Sequence, residues 1–230
     1  MRLLKSDKIT RKMILGVGLF SIVFHVNAQS DQVDNLAQFL FPQFSIATVR
    51  MNVGKGLTLM MNYNIVTEKM VFLQKGQVFD MLNQQNVDTI IVNDSKFIPV
   101  SKAFHEVILE GPVNLYIQHR GIIQEPGKPA AYGGTSQVSS STYLSRVSIG
   151  DGNNSIFNMK LPAELIVKPE TVFWMTFNNN KYSFTNERQF LKIFPGKEID
   201  IKKYIKQNRL KFENSEDVKK LAQYGYSLIK

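Results

Sequence analysis

The sequence predicts an α+β fold, mostly antiparallel β-sheet, with two or three amphipathic helices at its C-terminal end. Short β-branched and aromatic runs, separated by Gly, Asn, Asp and Pro, fill the region from Phe39 to about Thr185. After Thr185 the apolar residues recur at helical spacing instead of alternating. The chain contains no cysteine, so its stability must come from a packed core without disulfides.

We expect residues 29–185 to form the strand-rich domain. Asn178, Asn179 and Asn180 tolerate the positive φ of a tight hairpin, whereas the Gly/Ser-rich stretch 127–142 predicts a long loop. The candidate strands are Phe44–Arg50, Leu57–Tyr63, Met70–Leu73, Val87–Val92, Phe104–Leu109, Val113–Arg120, Tyr143–Ile149, Leu161–Val167, Val172–Phe177 and Lys181–Thr185.

Residues 186–230 predict a helical segment that packs on this domain. Asn186 is placed to cap a first helix, with Gln189 completing a capping box. A second helix over Ile199–Gln207 would turn its lysines outward if Ile201, Tyr204 and Ile205 face the core. Ser215 opens a third helix, whose apolar residues are Val218, Leu221, Ala222, Gly225, Leu228 and Ile229.

The first 28 residues have the pattern of a cleavable signal peptide. A leader with five Lys or Arg precedes the uncharged apolar run Met13–Phe24, and Val26-Asn27-Ala28 resembles a signal peptidase site. We therefore expect cleavage between Ala28 and Gln29. The alternative is an uncleaved anchor, but this run is shorter than the about 20 residues needed to span a bilayer.

Export predicts a periplasmic or extracellular protein, with no transmembrane span in the mature chain. It is not expected to be a lipoprotein, because lipidation at the cleavage site requires a cysteine. The formal charge of +9 falls to +5 without the leader, and eleven Lys or Arg against six Asp or Glu from Glu187 onward account for that excess. A basic patch is compatible with nucleic acid or an anionic membrane. Export argues against nucleic acid, and lysines on an amphipathic helix commonly form its solvated face.

Two groups of residues in the mature chain form a pattern. The first is Asn62-Tyr63-Asn64, Glu68, Met70, Phe72, Phe97-Ile98-Pro99-Val100 and Glu106-Val107; the second is Phe190-Leu191-Lys192, Phe194-Pro195 and Asp217-Val218. This pattern resembles one found in exported proteins of Bacteroidetes-type bacteria. The resemblance covers most of the mature chain and implies export and a shared fold, with no assigned activity and no catalytic residue.

His105 and His119 are the only histidines after the leader, and they suggest a metal site. If Glu110-Gly111-Pro112 is a three-residue hairpin loop, His105 lies opposite Ile117, and His119 is its diagonal neighbour about 7–8 Å away on the same face. One residue more or less in the loop would separate them. Zinc requires at least three protein ligands, and no third is identifiable, so we expect neither a metal nor another cofactor.

Other chemical motifs fail on spacing. His105-Glu106 begins like a helical zinc-protease motif, but Leu109 occupies the second histidine position. Neither Gly127-Lys128 nor 133–136 fits a phosphate loop or nucleophile elbow.

Carboxylates and aromatic residues suggest glycan chemistry. Glu106 and Glu110 share strand parity, as a glycosidase pair would, although such pairs also arise by chance. Tyr132, Tyr143 and Trp174 are candidates for stacking on a sugar, but Trp174 lies in a hydrophobic strand that indicates a core position.

These observations favour a non-catalytic exported envelope or secreted module, binding or structural. Its expected partner is an envelope protein or a glycan. The alternative is a hydrolase acting on glycan or peptide. A hydrolase should show a cleft where ionisable groups converge, and a binding module an apolar or aromatic patch without them.

Overall fold

The computed structural model describes residues 37–124 and 166–230, together with the backbone of two short strands within the predicted loop 127–142. Several predictions fall outside the described residues: the signal peptide, the Ala28–Gln29 bond, Tyr132, Tyr143, the strand Tyr143–Ile149 and most of Leu161–Val167.

The α+β prediction is confirmed by a ten-stranded antiparallel sheet followed by C-terminal helices. The strands are β1 (Ser45–Met51), β2 (Leu57–Asn64), β3 (Lys69–Gln74), β4 (Gln77–Asp80), β5 (Val87–Val92), β6 (Ser95–Val100), β7 (Ala103–Leu109), β8 (Asn114–Gln124), β11 (Ile166–Phe177) and β12 (Asn180–Phe184); the separate pair is β9 (Lys128–Pro129) and β10 (Thr135–Ser136). The order in the sheet is β12-β11-β8-β7-β6-β5-β1-β2-β3-β4. Seven of the nine neighbouring pairs are consecutive in sequence, and the exceptions are β8 beside β11 and β1 beside β5.

Two strands of the main sheet, β4 and β6, have no counterpart in the sequence prediction, and neither has the short pair of β9 and β10 within the predicted loop. β6 contains Pro99, which has no backbone N–H to donate to a neighbouring strand. The register explains why it is tolerated: β5 pairs with β6 only from Ile90↔Phe97 to Val92↔Ser95, so no ladder bond to β5 is required at Pro99.

The C-terminal helices are α1 (Glu187–Leu191), α2 (Glu198–Asn208) and α3 (Ser215–Ser227). The Asn186 side chain accepts from the Gln189 N–H at 3.1 Å, and the Gln189 side chain accepts from the Thr185 N–H at 2.7 Å. The predicted capping arrangement is confirmed, with the returning bond one residue earlier than in a standard capping box. Asn178 and Asn179 have φ of 47° and 62°, which confirms the predicted hairpin.

The strand register defines two faces of the sheet. The inner face carries Ile117 and Phe173, which are cross-strand partners, and the outer face carries their neighbours Tyr116 and Trp174. The helices cover the inner face of β7, β8, β11 and β12, where Phe190, Phe194, Ile201, Val218, Leu221 and Ala222 pack with strand residues in one buried cluster. We call this the helix-covered half.

The remaining inner-face residues form a second cluster, which we call the curled half. It includes Ala47, Val49, Met61, Tyr63, Met70, Ile90, Phe97 and Phe104. The chain after β2 returns to β7 and β8: the Gly121 N–H donates to the Ile65 carbonyl at 2.6 Å, and the Phe104 N–H donates to the Glu68 carbonyl at 3.1 Å. The sheet thus curls over its own apolar residues.

A small third cluster lies on the outer face, where Phe39 and Phe44 pack against Val71. The Asn62 side chain accepts from the Phe41 N–H at 3.1 Å and donates to the Phe41 carbonyl at 2.9 Å. This amide replaces a strand partner for the segment leading into β1, which explains why a buried asparagine is tolerated.

Candidate functional site

His105 and His119 lie on opposite faces of the sheet, so the predicted same-face pair is wrong. The predicted three-residue loop is wrong, because Leu109 pairs with Leu115 and not with Val113, a shift of two positions that keeps the face of each side chain. The irregularity between Val107 and Leu109 then shifts the register by one position and places Glu106 opposite Ile117. Because side chains alternate along a strand, this shift moves His105 to the outer face and leaves His119 on the inner face.

Glu106 therefore takes the place beside His119 that was expected for His105. Its carboxylate lies 2.7 Å from His119 Nε2 and accepts from the Ser95 hydroxyl at 2.6 Å. The His119 ring is also near two inner-face aromatic rings, with centroids 6.0 Å from Tyr63 and 6.4 Å from Phe97. Ser95, Glu106 and His119 thus form a polar cluster beside the aromatic residues of the curled half.

The order of contacts in this cluster does not match a nucleophilic triad. In such a triad the imidazole lies between the hydroxyl and the carboxylate, so that it accepts the hydroxyl proton. Here the carboxylate lies in the middle, and Ser95 bonds to Glu106. Burial raises the pKa of Glu106, but hydrogen bonds from His119 and Ser95 and the His119 charge outweigh burial and bring the pKa below its ordinary value. The cluster holds an anionic carboxylate without activating the hydroxyl.

Glu110 is separated from Glu106, and the hypothetical glycosidase pair is not formed. Glu110 is exposed and forms an ion pair with Lys96 at 2.7 Å, whereas Glu106 points to the inner face. The same strand irregularity that separates the histidines also reverses the parity between these two carboxylates.

Trp174 is half-buried on the outer face and does not occupy the core position expected from its strand. Its indole N–H donates to the Gln118 side chain at 2.8 Å, and its ring lies 6.0 Å from the His105 ring at an interplanar angle of 25°. Lys181 Nζ lies 4.4 Å from the ring centroid. His105 and Lys181 therefore already engage the indole that was considered for sugar stacking.

His105 is only 4% exposed in this environment. Burial lowers its pKa from 6.5 to about 4, and the positive charges of Lys181 and His119 act in the same direction. Neutral imidazole is therefore the form that the fold accommodates at neutral pH.

The outer face continues into a charged network around Glu68, in the turn between β2 and β3. The Gln118 side chain donates to the Glu68 carboxylate, which also lies 3.4 Å from Arg120 Nε. Arg120 Nη1 lies 3.6 Å from Glu170. Each of these charged groups has a counterpart of opposite sign, which is typical of a structural network.

An open depression of ≈ 500 Å³ lies where β5 and β6 diverge. It is lined by Asn52, Gln85, Val87, Asp88, Ile98, Pro99 and Ser101, and Asp88 is the only ionisable side chain among these lining residues. A single carboxylate does not supply the acid and base that hydrolysis of glycan or peptide requires.

Within residues 37–124 and 166–230, the acidic and histidine side chains form no group of three or more with a geometry for a metal ion. Over the same residues, no helix combines the length and apolar character needed to cross a membrane. Of the rejected phosphate-loop residues, Lys128, Thr135 and Ser136 lie in β9 and β10, and the others lie outside the described part of the chain.

Comparisons with models of protein families, with curated proteins and with solved structures find no match to this chain.

Sequence reasoning did not identify Ser95, Gln118, Arg120 and Lys181 as partners of the candidate residues. The alternation of β8 contained part of the signal, because Gln118 and Arg120 share one parity and His119 has the other. Their partners lie far along the chain, so only the folded sheet brings them together.

Proposed function

We propose that this chain is a non-catalytic module of the bacterial envelope or a secreted module, which binds a protein partner through the β1–β2 hairpin. The leader supports export. The observation that carries the binding proposal is the concentration of exposed apolar side chains on the hairpin.

Four of the eight large hydrophobic residues that are exposed in the described chain belong to this hairpin: Ile46, Val53, Leu57 and Met60. Val53 at the tip is 88% exposed, and Ile46 is 70% exposed beside its cross-strand partner Met60. Single exposed apolar residues are ordinary, but several on one hairpin favour a contact surface.

The ionisable groups favour binding over the hydrolase alternative. Glu106 is hydrogen-bonded to Ser95 and His119, and Glu68 is engaged by Gln118 and Arg120. A hydrolase requires such groups to converge on a space that admits a substrate. Their contacts with one another support a structural role instead.

The binding proposal is tested by capture from the native envelope with residues 29–230 as bait. We expect an Ile46→Thr/Met60→Thr variant to lose the partner retained by the wild-type chain. An Ile166→Thr/Leu82→Ser variant is the control, because it removes two exposed apolar residues elsewhere. Equal capture by all three proteins would refute the hairpin as the contact surface. Cleavage of an envelope glycan or peptide that Glu106→Gln abolishes would favour the hydrolase.

Export is tested separately by the intact mass of the protein recovered from the envelope. We expect the chain to begin at Gln29. A species that retains residues 1–28 would support the uncleaved-anchor alternative.

A further inference from the structure

The excess positive charge of the mature chain is concentrated in the helical segment, and α2 and α3 carry it differently. On α3, Lys219 lies 3.4 Å from Glu216 and Lys220 lies 3.6 Å from Asp217. Among the described residues, no carboxylate lies within 4.0 Å of the lysines at positions 202, 203 and 206 of α2. Glu198, one helical turn before Lys202, interacts with its charge but forms no close ion pair with it. The lysines of α3 therefore have direct ion-pair partners, whereas those of α2 do not.

The lysines of α2 share one exposed face with an apolar residue. Ile201 is buried, and Tyr204 and Ile205 pack on the helix-covered half, which orients α2. At 100° per residue, Ile199, Lys202, Lys203 and Lys206 fall within an arc of about 100° on the opposite side. Ile199 is 83% exposed, and the acidic residues Glu198 and Asp200 lie outside this arc. We call these four residues the basic face.

We infer that the basic face docks the protein on an anionic phospholipid surface. Lysines are attracted to anionic headgroups, and an exposed isoleucine among them enters the boundary between headgroups and acyl chains. Lysine suits a diffuse array of lipid charges, whereas arginine is favoured for bidentate pairs with carboxylates on a protein. The inference rests on the proposed envelope location and adds a lipid contact to the protein contact of the hairpin.

This docking differs from insertion of a detachable helical tail. The apolar side of α2 is occupied by the core, so only Ile199 is available to lipid on this helix face. Binding should therefore be reversible, dominated by charge and strongly dependent on salt. The helix remains folded on the sheet throughout.

Co-sedimentation of residues 29–230 with vesicles tests the inference. We expect binding to phosphatidylcholine vesicles that contain phosphatidylglycerol, no binding to pure phosphatidylcholine, and loss of binding at high salt. Lys202→Gln/Lys203→Gln should lower the apparent affinity by about tenfold or more, because each lysine near the surface contributes separately. Ile199→Ser should lower it less.

Lys219→Gln/Lys220→Gln is the matched control, since it removes the same charge from another adjacent lysine pair. It should retain near wild-type binding, and an unchanged melting transition will establish that each variant is folded. The inference is overturned if the wild-type protein does not bind the anionic vesicles, or if both double variants lose binding equally. If either of these vesicle results is obtained but only the hairpin variant loses its captured partner, the proposal of protein binding through the hairpin still stands.

Discussion

The two halves of the inner face bury their apolar residues by different means. The helix-covered half depends on a separate layer, because side chains from α1, α2 and α3 fill the space above β8 and β11. In the part of the chain that the structure describes, no helix residue joins the buried cluster of the curled half. This half closes through its own backbone and the Tyr63 hydroxyl, which donates toward the Phe104 carbonyl at 3.1 Å and the His119 carbonyl at 3.2 Å. The helix-covered half should therefore lose stability when a segment is removed, and the curled half when a single polar contact is removed.

The largest expected effect is truncation after Thr185, which removes the entire helical layer. It exposes inner-face residues such as Phe173, Met175 and Phe177, which are almost fully buried in the complete chain. Isolated helices shorter than about 12–15 residues are marginal in water, so the removed segment should not fold alone either. We expect an aggregating or poorly folded product by size-exclusion chromatography and circular dichroism. A monomeric product with an unchanged melting transition would show that the helices are an appendage.

The next effect is acid lability from His105, on the outer face. The unfolded histidine binds a proton near pH 6.5, whereas the folded one does so only near pH 4. The unfolded state therefore binds more protons between these values, and His105 should lower the free energy of unfolding by at most about 3 kcal/mol as pH falls from 6.5 to 4.

Denaturant unfolding of wild type and His105→Gln at pH 7.5 and pH 4 measures this contribution. The difference between the two pH values should be smaller for the variant than for wild type. An equal pH dependence in both proteins would contradict the assignment to His105. The remaining loss of stability in acid should come from groups such as Glu106. Because its pKa in the folded protein lies below its ordinary value, Glu106 stabilises the fold while it is ionised and loses this contribution as pH falls through that pKa.

Glu106→Ala tests the polar contact in the curled half. It leaves the Ser95 hydroxyl and the His119 imidazole without their shared partner, which should cost about 2 kcal/mol of unfolding free energy. Glu110→Ala removes an exposed ion pair and should change stability by less than about 1 kcal/mol. Thermal or denaturant unfolding of both variants measures the contrast, and equal losses would exclude a special role for the inner-face carboxylate.

The smallest effect concerns the fit of α3 on the helix-covered half. A Cβ at Gly225 would lie 2.7 Å from the Phe194 ring, so the ring or the helix must shift. We expect Gly225→Ala to cost about 1 kcal/mol, because this overpacking exceeds the gain in helix propensity. The melting temperature should fall by a few degrees. A stabilised variant would show that Phe194 can move away without loss.

Local signals explain which parts of the fold could be predicted. The predicted limits of β5, Val87–Val92, match the structure, because turn-forming residues flank a β-branched run. The inward positions of Ile201 and Val218 follow from helical spacing, and the Asn186 cap follows from one side chain acting on a nearby N–H. Each of these features depends on residues close together in the chain.

The candidate site could not be predicted in the same way. A single irregularity between Val107 and Leu109 decides that Glu106, instead of His105, faces His119. Nothing in the local composition of β7 marks the position of that irregularity, and a one-residue change reverses every side chain beyond it. The metal and glycosidase hypotheses both depended on this register.

By itself, the sequence determined the antiparallel strand-rich class, the capped amphipathic helices and the orientation of the lysines on α2, because alternation, helical period and capping are short-range properties. Only the tertiary structure decided that Pro99 lies in β6, that the turn after β2 closes on β8 at Gly121, and that Trp174 meets His105 and Lys181 on the outer face. These features depend on which distant strands become neighbours and in which register. The packing of the whole sheet decides both the neighbours and the register, because burial of the two inner clusters outweighs the small energies of local strand preference.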